Sequence, residues 1–385
     1  MSLRIRLIEP RPAGPNVYDY ARLPRLGLPL IGALLAEAGH EVRVYTELLA
    51  PIDLEECFGA DLVGISSTTA TQPAAYGLAD LLRLAGVPVV LGGPHVTFCA
   101  DEALEHAPFV VRGEGEATMV ELVDRLERGD DLDTLPGLSF RSDDGSNRHN
   151  AGRAAVTQEE YERLPIPALE LMEGHERMAT KPVMTQRGCP FDCEFCSVTA
   201  MFSRRVRYRR PDQVVGELTG LAADRVFFYD DNFVVNRSRT KELLRGMLEK
   251  DLTPTWMAQV RADAALRSPA RPDIDDELLS LMRDSGCSMV MIGIEAASDE
   301  GLAPGHETPD CLDHRTGHRC LPPAWHLGAR HVRRRSRHRH TRQRPRDSGL
   351  RPETGHRDLP ADGRDAPARH EALAARLRGQ PDPQP

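Results

Sequence analysis

The chain has 385 residues, 40% of them apolar and 28% charged, which is enough length for two domains and enough apolar material for their cores. No run of about 18 apolar residues occurs, and the first ten residues hold two Arg and a Glu with no small-residue cleavage site beyond, so neither a membrane span nor secretion is expected and a cytoplasmic protein is. The net charge of −9 argues against a general nucleic-acid binder, whose surface must neutralise phosphates.

From residue 3 to about 156, short β-rich runs alternate with helical stretches, the pattern of a parallel, Rossmann-like α/β sheet. Strands are expected over 3–8, 41–45, 61–65, 88–91 and 109–112, with helices over 27–38, 72–85 and 116–128 between them. Most of these strands are apolar throughout, as a sheet covered on both faces requires. Ligands of such sheets sit beyond the carboxyl ends of the strands. Ser66-Ser67-Thr68-Thr69, Gly92-Gly93-Pro94-His95, Gly113-Glu114-Gly115-Glu116 and residues 10–16 all fall there. Paired glycines admit a ligand to the backbone, and hydroxyls can bond a polar ring or a nucleotide tail, although turns of α/β proteins carry the same residues for steric reasons alone. A dinucleotide fingerprint is absent, since Gly113-Glu114-Gly115 continues as Glu116-Ala117-Thr118, and this disfavours an NAD enzyme.

The first domain is assigned to 1–142, followed by a hairpin and linker over 143–180. Asp143-Asp144-Gly145-Ser146 reads as the hairpin tip between strands at 138–141 and 154–157, and Leu164-Pro165-Ile166-Pro167-Ala168 as extended linker. A second domain occupies 181–302. Residues 303–385 differ from the rest, with 17 Arg, no Lys, 10 acidic residues, 11 Pro, 9 of the 14 His and no Ile, Phe, Tyr or Met. That segment cannot build a core and is expected to be disordered. Its composition is that of a GC-rich reading frame slipped by one base near residue 303, with a natural basic tail as the alternative.

Eight cysteines without a secretory signal point to a reducing compartment and to metal or thiol chemistry. Cys189, Cys193 and Cys196 stand at C-x3-C-x2-C spacing after a strand expected over 182–186. Three thiolates from one loop can cap three irons of a [4Fe-4S] cube and leave the fourth iron open to a small chelating molecule. Zinc bound by the same trio with Cys287 or His175 is an alternative, although structural zinc sites favour two ligand pairs. Cys57, Cys99 and Cys287 stand singly and read as buried inert thiols. The basic run 204–211 reads as a solvated loop and helix start, or as a steering patch for an anion.

The cysteine segment, with Phe195 before the last Cys, resembles the radical S-adenosylmethionine (radical SAM) superfamily. Residues 225–233, 256–261 and 289–295 are similar to its second, third and fourth barrel strands. Leu23-Pro24-Arg25-Leu26-Gly27-Leu28-Pro29, Leu91-Gly92-Gly93-Pro94-His95 and Gly113-Glu114-Gly115-Glu116 are similar to stretches of its B12-binding branch. The Asp-x-His-x-x-Gly motif that gives cobalt a histidine in other B12 proteins is absent, as is usual in that branch.

The resemblance implies a Rossmann-like cobalamin-binding domain followed by a partial TIM barrel, with a [4Fe-4S] cluster, S-adenosylmethionine (SAM) and cobalamin as cofactors. Cys189, Cys193 and Cys196 would hold the cluster. SAM would chelate the open iron, one electron would break its sulfonium bond, and a 5′-deoxyadenosyl radical would form. Phe195, Asp230, Asp231, Asn232, Gln259, Arg261 and Glu295 would bind SAM, with Asp230 or Asp231 near the amine, Arg261 near the carboxylate and Glu295 near the ribose. Ser66, Ser67, Thr68, Gly92, Gly93 and Glu114 would bind cobalamin. The implied reaction is methyl transfer to an unactivated carbon of a small-molecule or lipid-like substrate, with a one-electron reductant such as flavodoxin or ferredoxin. Cyclisation or rearrangement, and a non-catalytic sensor, are the alternatives. The aberrant tail supplies no further strands, so the expected barrel is truncated and the polypeptide unstable or inactive.

Overall fold

The first domain is built on seven strands, β1 (Arg4–Glu9), β2 (Glu41–Thr46), β3 (Leu62–Ser66), β4 (Val89–Gly92), β5 (Phe109–Val111), β6 (Leu138–Arg141) and β7 (Asn147–His149). The computed structural model describes residues 2–12, 14, 23–142, 144–193, 196–268 and 271–293. The candidates Phe195 and Glu295, and the whole Arg/Pro-rich tail, lie outside the described residues. The strands stand in the order β2-β1-β3-β4-β5-β6-β7. The first five are parallel, and β6 and β7 add antiparallel.

Helices cover both faces of this sheet. They are α1 (Gly27–Glu37), α2 (Leu54–Phe58), α3 (Gln72–Leu84), α4 (Pro94–Phe98), α5 (Ala100–Leu104) and α6 (Glu116–Arg128). In α6 the buried residues Met119, Leu122, Val123 and Leu126 recur at helical spacing, and the helix stops at Gly129 in the left-handed conformation. They pack with Leu35 of α1 against one face, while Ala75, Tyr76, Ala79 and Leu82 of α3 pack against the other. Leu35 and Leu122 are fully buried, each contributing roughly 1.5–3 kcal/mol. The chain winds to one side of β1 for β2 and to the other for β3, so the loops leaving β1 and β3 diverge and open a crevice at their carboxyl ends.

The hairpin return differs from the sequence expectation. The strand anticipated at 154–157 lies instead at Asn147–His149, because Ser142 and Ser146 close the turn by a backbone hydrogen bond of 2.9 Å and the ladder resumes at once. Residues 154–157 lead into α7 (Gln158–Arg163), where Thr157 and Glu160 form a capping box.

The second domain carries β8 (Lys181–Val183), β9 (Gln186–Arg187), α8 (Ser197–Phe202), β10 (Arg207–Tyr208), α9 (Pro211–Leu221), β11 (Arg225–Phe228), α10 (Arg237–Glu249), β12 (Thr255–Val260), a small hairpin of β13 (Leu266–Ser268) and β14 (Arg271–Ile274), α11 (Asp276–Asp284) and β15 (Cys287–Ile292). A parallel four-stranded sheet runs β15-β12-β11-β8. The core between it and α9, α10 and α11 centres on Trp256, fully buried, whose indole N–H donates to the Ser285 carbonyl at 3.1 Å. The strand expected over 182–186 ends at Val183. Asp230 accepts the backbone N–H groups of Thr185 and Gln186, turning the chain so that β9 pairs with β10 as a separate antiparallel ribbon. No helix among the described residues is long and apolar enough to cross a membrane.

Candidate functional site

A cavity of about 290 Å³ lies where the carboxyl ends of β1, β3, β4 and β5 face those of β8 and β11. One wall is bare backbone and small side chains at Gly64, Ser66, Gly92, Gly93, Gly113 and Gly115, and the opposite wall carries Met184, Met201, Phe202 and Tyr229. Gly93 has φ +98°, and a Cβ there would stand 2.6 Å from the Ser67 carbonyl oxygen and 2.8 Å from Ser66 Oγ, so the turn accepts only glycine. Gly27 and Gly113 have nothing within 4 Å of a notional Cβ, which leaves their backbone open towards the cavity. At the end of β1, Glu9 pairs with Arg25 at 2.6 Å, and Arg25 also donates to the Ser66 carbonyl. A wide, mostly apolar slot with uncovered peptide on one side suits a flat macrocycle.

The three cysteines lie on the loop between β9 and α8, and both ends of that loop line the cavity, through Gln186 and Arg187 before it and Met201 and Phe202 after it. Gly188 has φ +89°, and a Cβ there would overlap the Arg205 carbonyl. Its N–H donates to Asp231 Oδ2 at 3.2 Å. Inside the loop, Cys196 N–H donates to the Cys193 carbonyl at 2.9 Å, and Thr199 Oγ1 to the Phe191 carbonyl at 2.8 Å. Burial pushes the Cys189 thiol up. Among the described residues, the group whose ligand atoms all converge within 4.8 Å is His95, Cys99 and Glu102, not the loop trio. Three thiolates from one loop suit a cluster in which each sulfur takes its own iron, whereas structural zinc sites favour two ligand pairs. Burial pushes the thiol of Cys287 up to about 12.

The other expected ligands divide. Ser66, Gly92, Gly93 and Asp231 line the cavity. Ser67 is fully buried beneath it, its hydroxyl without a partner, and Thr68 N–H bonds Thr71 Oγ1 in the turn before α3. Asp230 is fully buried and accepts from Thr185 N at 2.8 Å, Thr185 Oγ1 at 2.6 Å and Gln186 N at 3.1 Å. Its place is beneath the cysteine loop, with burial pushing its carboxyl up to about 7 against those hydrogen bonds. Asn232 is buried with Oδ1 unpartnered, and its carbonyl accepts from Gln186 Nε2. The Gln259 carbonyl accepts from Phe233 N at 2.9 Å. Arg261 lies over the Phe191 ring, 3.7 Å from its centroid, and so touches the cysteine loop directly, while pairing with Asp263 at 3.2 Å. Glu114 faces away from the cavity: its two oxygens bind Arg187 at 2.8 Å and Arg207 at 2.7 Å, which makes it a tie between domains.

Arg187 and Glu116 received no individual role from the sequence, and Arg207 and Arg209, expected in a solvated basic run, are instead buried and paired with Glu114 and Glu217. Arg187 also binds Glu116 at 2.6 Å, both residues being buried. The adjacent Glu116 and Glu114 carboxylates outweigh burial and raise the already high pKa of Arg187. The signal was present as two acidic residues in Gly113-Glu114-Gly115-Glu116 against the single neighbouring cation Arg112.

Fold and site together define a Rossmann-type domain facing, across a shared cavity, a parallel α/β sheet whose first strand leads into a three-cysteine loop. The chain belongs to the B12-binding branch of the radical SAM superfamily: the B12 binding domain family matches residues 19–123, and the radical SAM superfamily matches residues 183–319. It is 32% identical over 294 residues to an uncharacterized methyltransferase of Pyrococcus horikoshii, covering 71% of this chain and 61% of that one. It is 27% identical over 333 residues to the anaerobic magnesium-protoporphyrin IX monomethyl ester cyclase of a Synechocystis species, covering 78% and 62%. The chain thus spans about three fifths of the length of these relatives. Its fold matches the cobalamin-dependent SAM radical enzyme OxsB, solved with aqua-cobalamin and SAM bound, at TM-score 0.64 and 19% identity over 78% of this chain and 45% of that one. The cofactors of this family are a [4Fe-4S] cluster, SAM and cobalamin, and the loop trio and the glycine-walled cavity fit them.

Proposed function

We propose that the protein is a radical SAM enzyme that cleaves SAM reductively and transfers a methyl group, by way of cobalamin, to an unactivated carbon of a small or lipid-like molecule. The observation that carries this reading is the shared cavity: one wall is the glycine-rich carboxyl edge of the first sheet, and the other is formed by the two flanks of the cysteine loop. When bound, the cluster supplies an electron to SAM, and cobalamin supplies a transferable methyl group.

The protein's own side chains position and exclude. Cys189, Cys193 and Cys196 would hold the cluster, Asp231 fixes the peptide ahead of Cys189, and Arg261 braces the loop through Phe191. Asp230 anchors Thr185 and Gln186 from below. Met184, Met201, Phe202 and Tyr229 keep the space between the two walls apolar, which protects reactive carbon species from water. An external one-electron donor such as flavodoxin or ferredoxin, in a reducing cytoplasm, completes the system.

The test is anaerobic reconstitution with iron, sulfide and hydroxocobalamin, followed by SAM and a strong reductant. 5′-Deoxyadenosine together with S-adenosylhomocysteine is expected. A second reading, ring closure, is favoured by the similarity to a cyclase, and it yields deoxyadenosine without S-adenosylhomocysteine. Absence of both products overturns the enzymatic reading.

A further inference from the structure

His95, Cys99 and Glu102 lie on α4 and α5, at H-x3-C-x2-E spacing, outside the cysteine loop. Their ligand atoms all fall within 4.8 Å of one another. The chain breaks its helical path at Cys99 (φ −124°, ψ 50°), which swings the start of α5 round so that Glu102 faces back towards His95, with Oε1 3.5 Å from Nε2. The other ring nitrogen, Nδ1, lies 3.2 Å from Thr69 Oγ1. That arrangement is the one a metal-bound histidine adopts, one nitrogen held by an outer hydrogen-bond partner and the other presented to the ion. The Tyr76 ring stands edge-on to His95, centroids 6.2 Å apart, and closes one side of the group. Cys99, expected from sequence to be an inert buried thiol, is half-buried and faces this group.

We propose that His95, Cys99 and Glu102 form a zinc site, independent of the iron–sulfur loop, with three protein ligands and a fourth position for water. One imidazole nitrogen, one thiolate and one carboxylate match the ligand preferences of this borderline-soft ion, and the two anionic ligands neutralise its charge. Binding forms Zn–N, Zn–S and Zn–O bonds and releases the Cys99 thiol proton to solvent, with no change of oxidation state. Because His95 follows the cavity-lining Gly92-Gly93-Pro94 directly, the ion locks the α4–α5 corner behind that wall.

The experiment uses the full-length chain carrying Cys189→Ala, Cys193→Ala and Cys196→Ala, so that the iron–sulfur ligands do not compete. Anaerobic titration with Co²⁺ is expected to give a thiolate-to-cobalt charge-transfer absorption that saturates at one equivalent and is displaced by Zn²⁺. Cys99→Ser abolishes the band, and His95→Ala weakens Co²⁺ binding at least tenfold. Zinc measured by mass spectrometry after purification without chelators falls from about one per chain to background in the Cys99→Ser protein. Absence of the band in the parent protein, or a band undiminished in both variants, overturns the proposal.

Discussion

The Arg187 guanidinium binds Glu116 at 2.6 Å and Glu114 at 2.8 Å, and it is two residues away from the first cluster cysteine. The two carboxylates stand at the head of α6, in the loop that lines the first domain's side of the cavity. Together with Arg207, which binds the other Glu114 oxygen at 2.7 Å, this side chain ties the glycine-rich wall to the strand before the cysteine loop. Arg187→Met leaves two buried carboxylates short of a counter-charge, and removal of one partner from a buried pair costs about 3–5 kcal/mol. The expected outcome is loosened domain docking, read as faster proteolysis between residues 143 and 180 and weaker cobalamin retention. Arg187→Lys restores the charge but not the two-carboxylate fork, so it falls between wild type and Arg187→Met.

Replacement of any one of Cys189, Cys193 or Cys196 by Ala is expected to lower iron after anaerobic reconstitution from about four per chain to below one, with loss of the brown chromophore. Cys287→Ala serves as the control. Its thiol, pushed up to about 12 by burial, stays protonated at neutral pH, and iron content is expected to be unchanged.

Two glycine variants separate backbone strain from ligand space. Gly93→Ala places a side chain in the left-handed region and 2.6 Å from the Ser67 carbonyl, costing about 1–3 kcal/mol in urea unfolding. Gly27→Ala meets nothing within 4 Å and leaves stability unchanged, but its methyl group enters cavity space, so weaker cobalamin binding with an unaltered unfolding midpoint is expected.

Burial pushes the Asp230 carboxyl up to about 7 from its ordinary 3.8. The native state then holds this proton more tightly than the unfolded chain, so the group's own contribution to stability is full below about 4 and is lost as pH rises through 7. Between pH 5 and 8 this one group accounts for roughly 2–3 kcal/mol. Asp230→Asn is expected to flatten that slope in urea unfolding of the metal-free protein.

The first sheet was readable because its strands are unbroken apolar runs and its helices carry single stripes, as in α6. The short α4 and α5 escaped notice, since five residues give no periodicity. The cysteine trio was legible because its ligands are adjacent in the chain. Arg187 with Glu114, 73 residues apart, was not, because that pair is created only when the domains dock. Asp230 was placed near SAM from its position at a strand end. It lies one residue too deep, its carboxylate taken by the Thr185 and Gln186 peptides, while Asp231 next to it reaches the cavity. Glu114, expected near cobalamin, has both carboxylate oxygens taken by Arg187 and Arg207 of the other domain, partners that local sequence does not reveal.

The ribbon of β9 and β10 joins Arg187 to Arg207 and Gln186 to Tyr208 across the base of the cysteine loop. It works like a drawstring around residues 188–206. The entropy of bringing that loop's ends together is met by the ribbon's own backbone hydrogen bonds, so whatever the three cysteines hold need only order what lies between the knots.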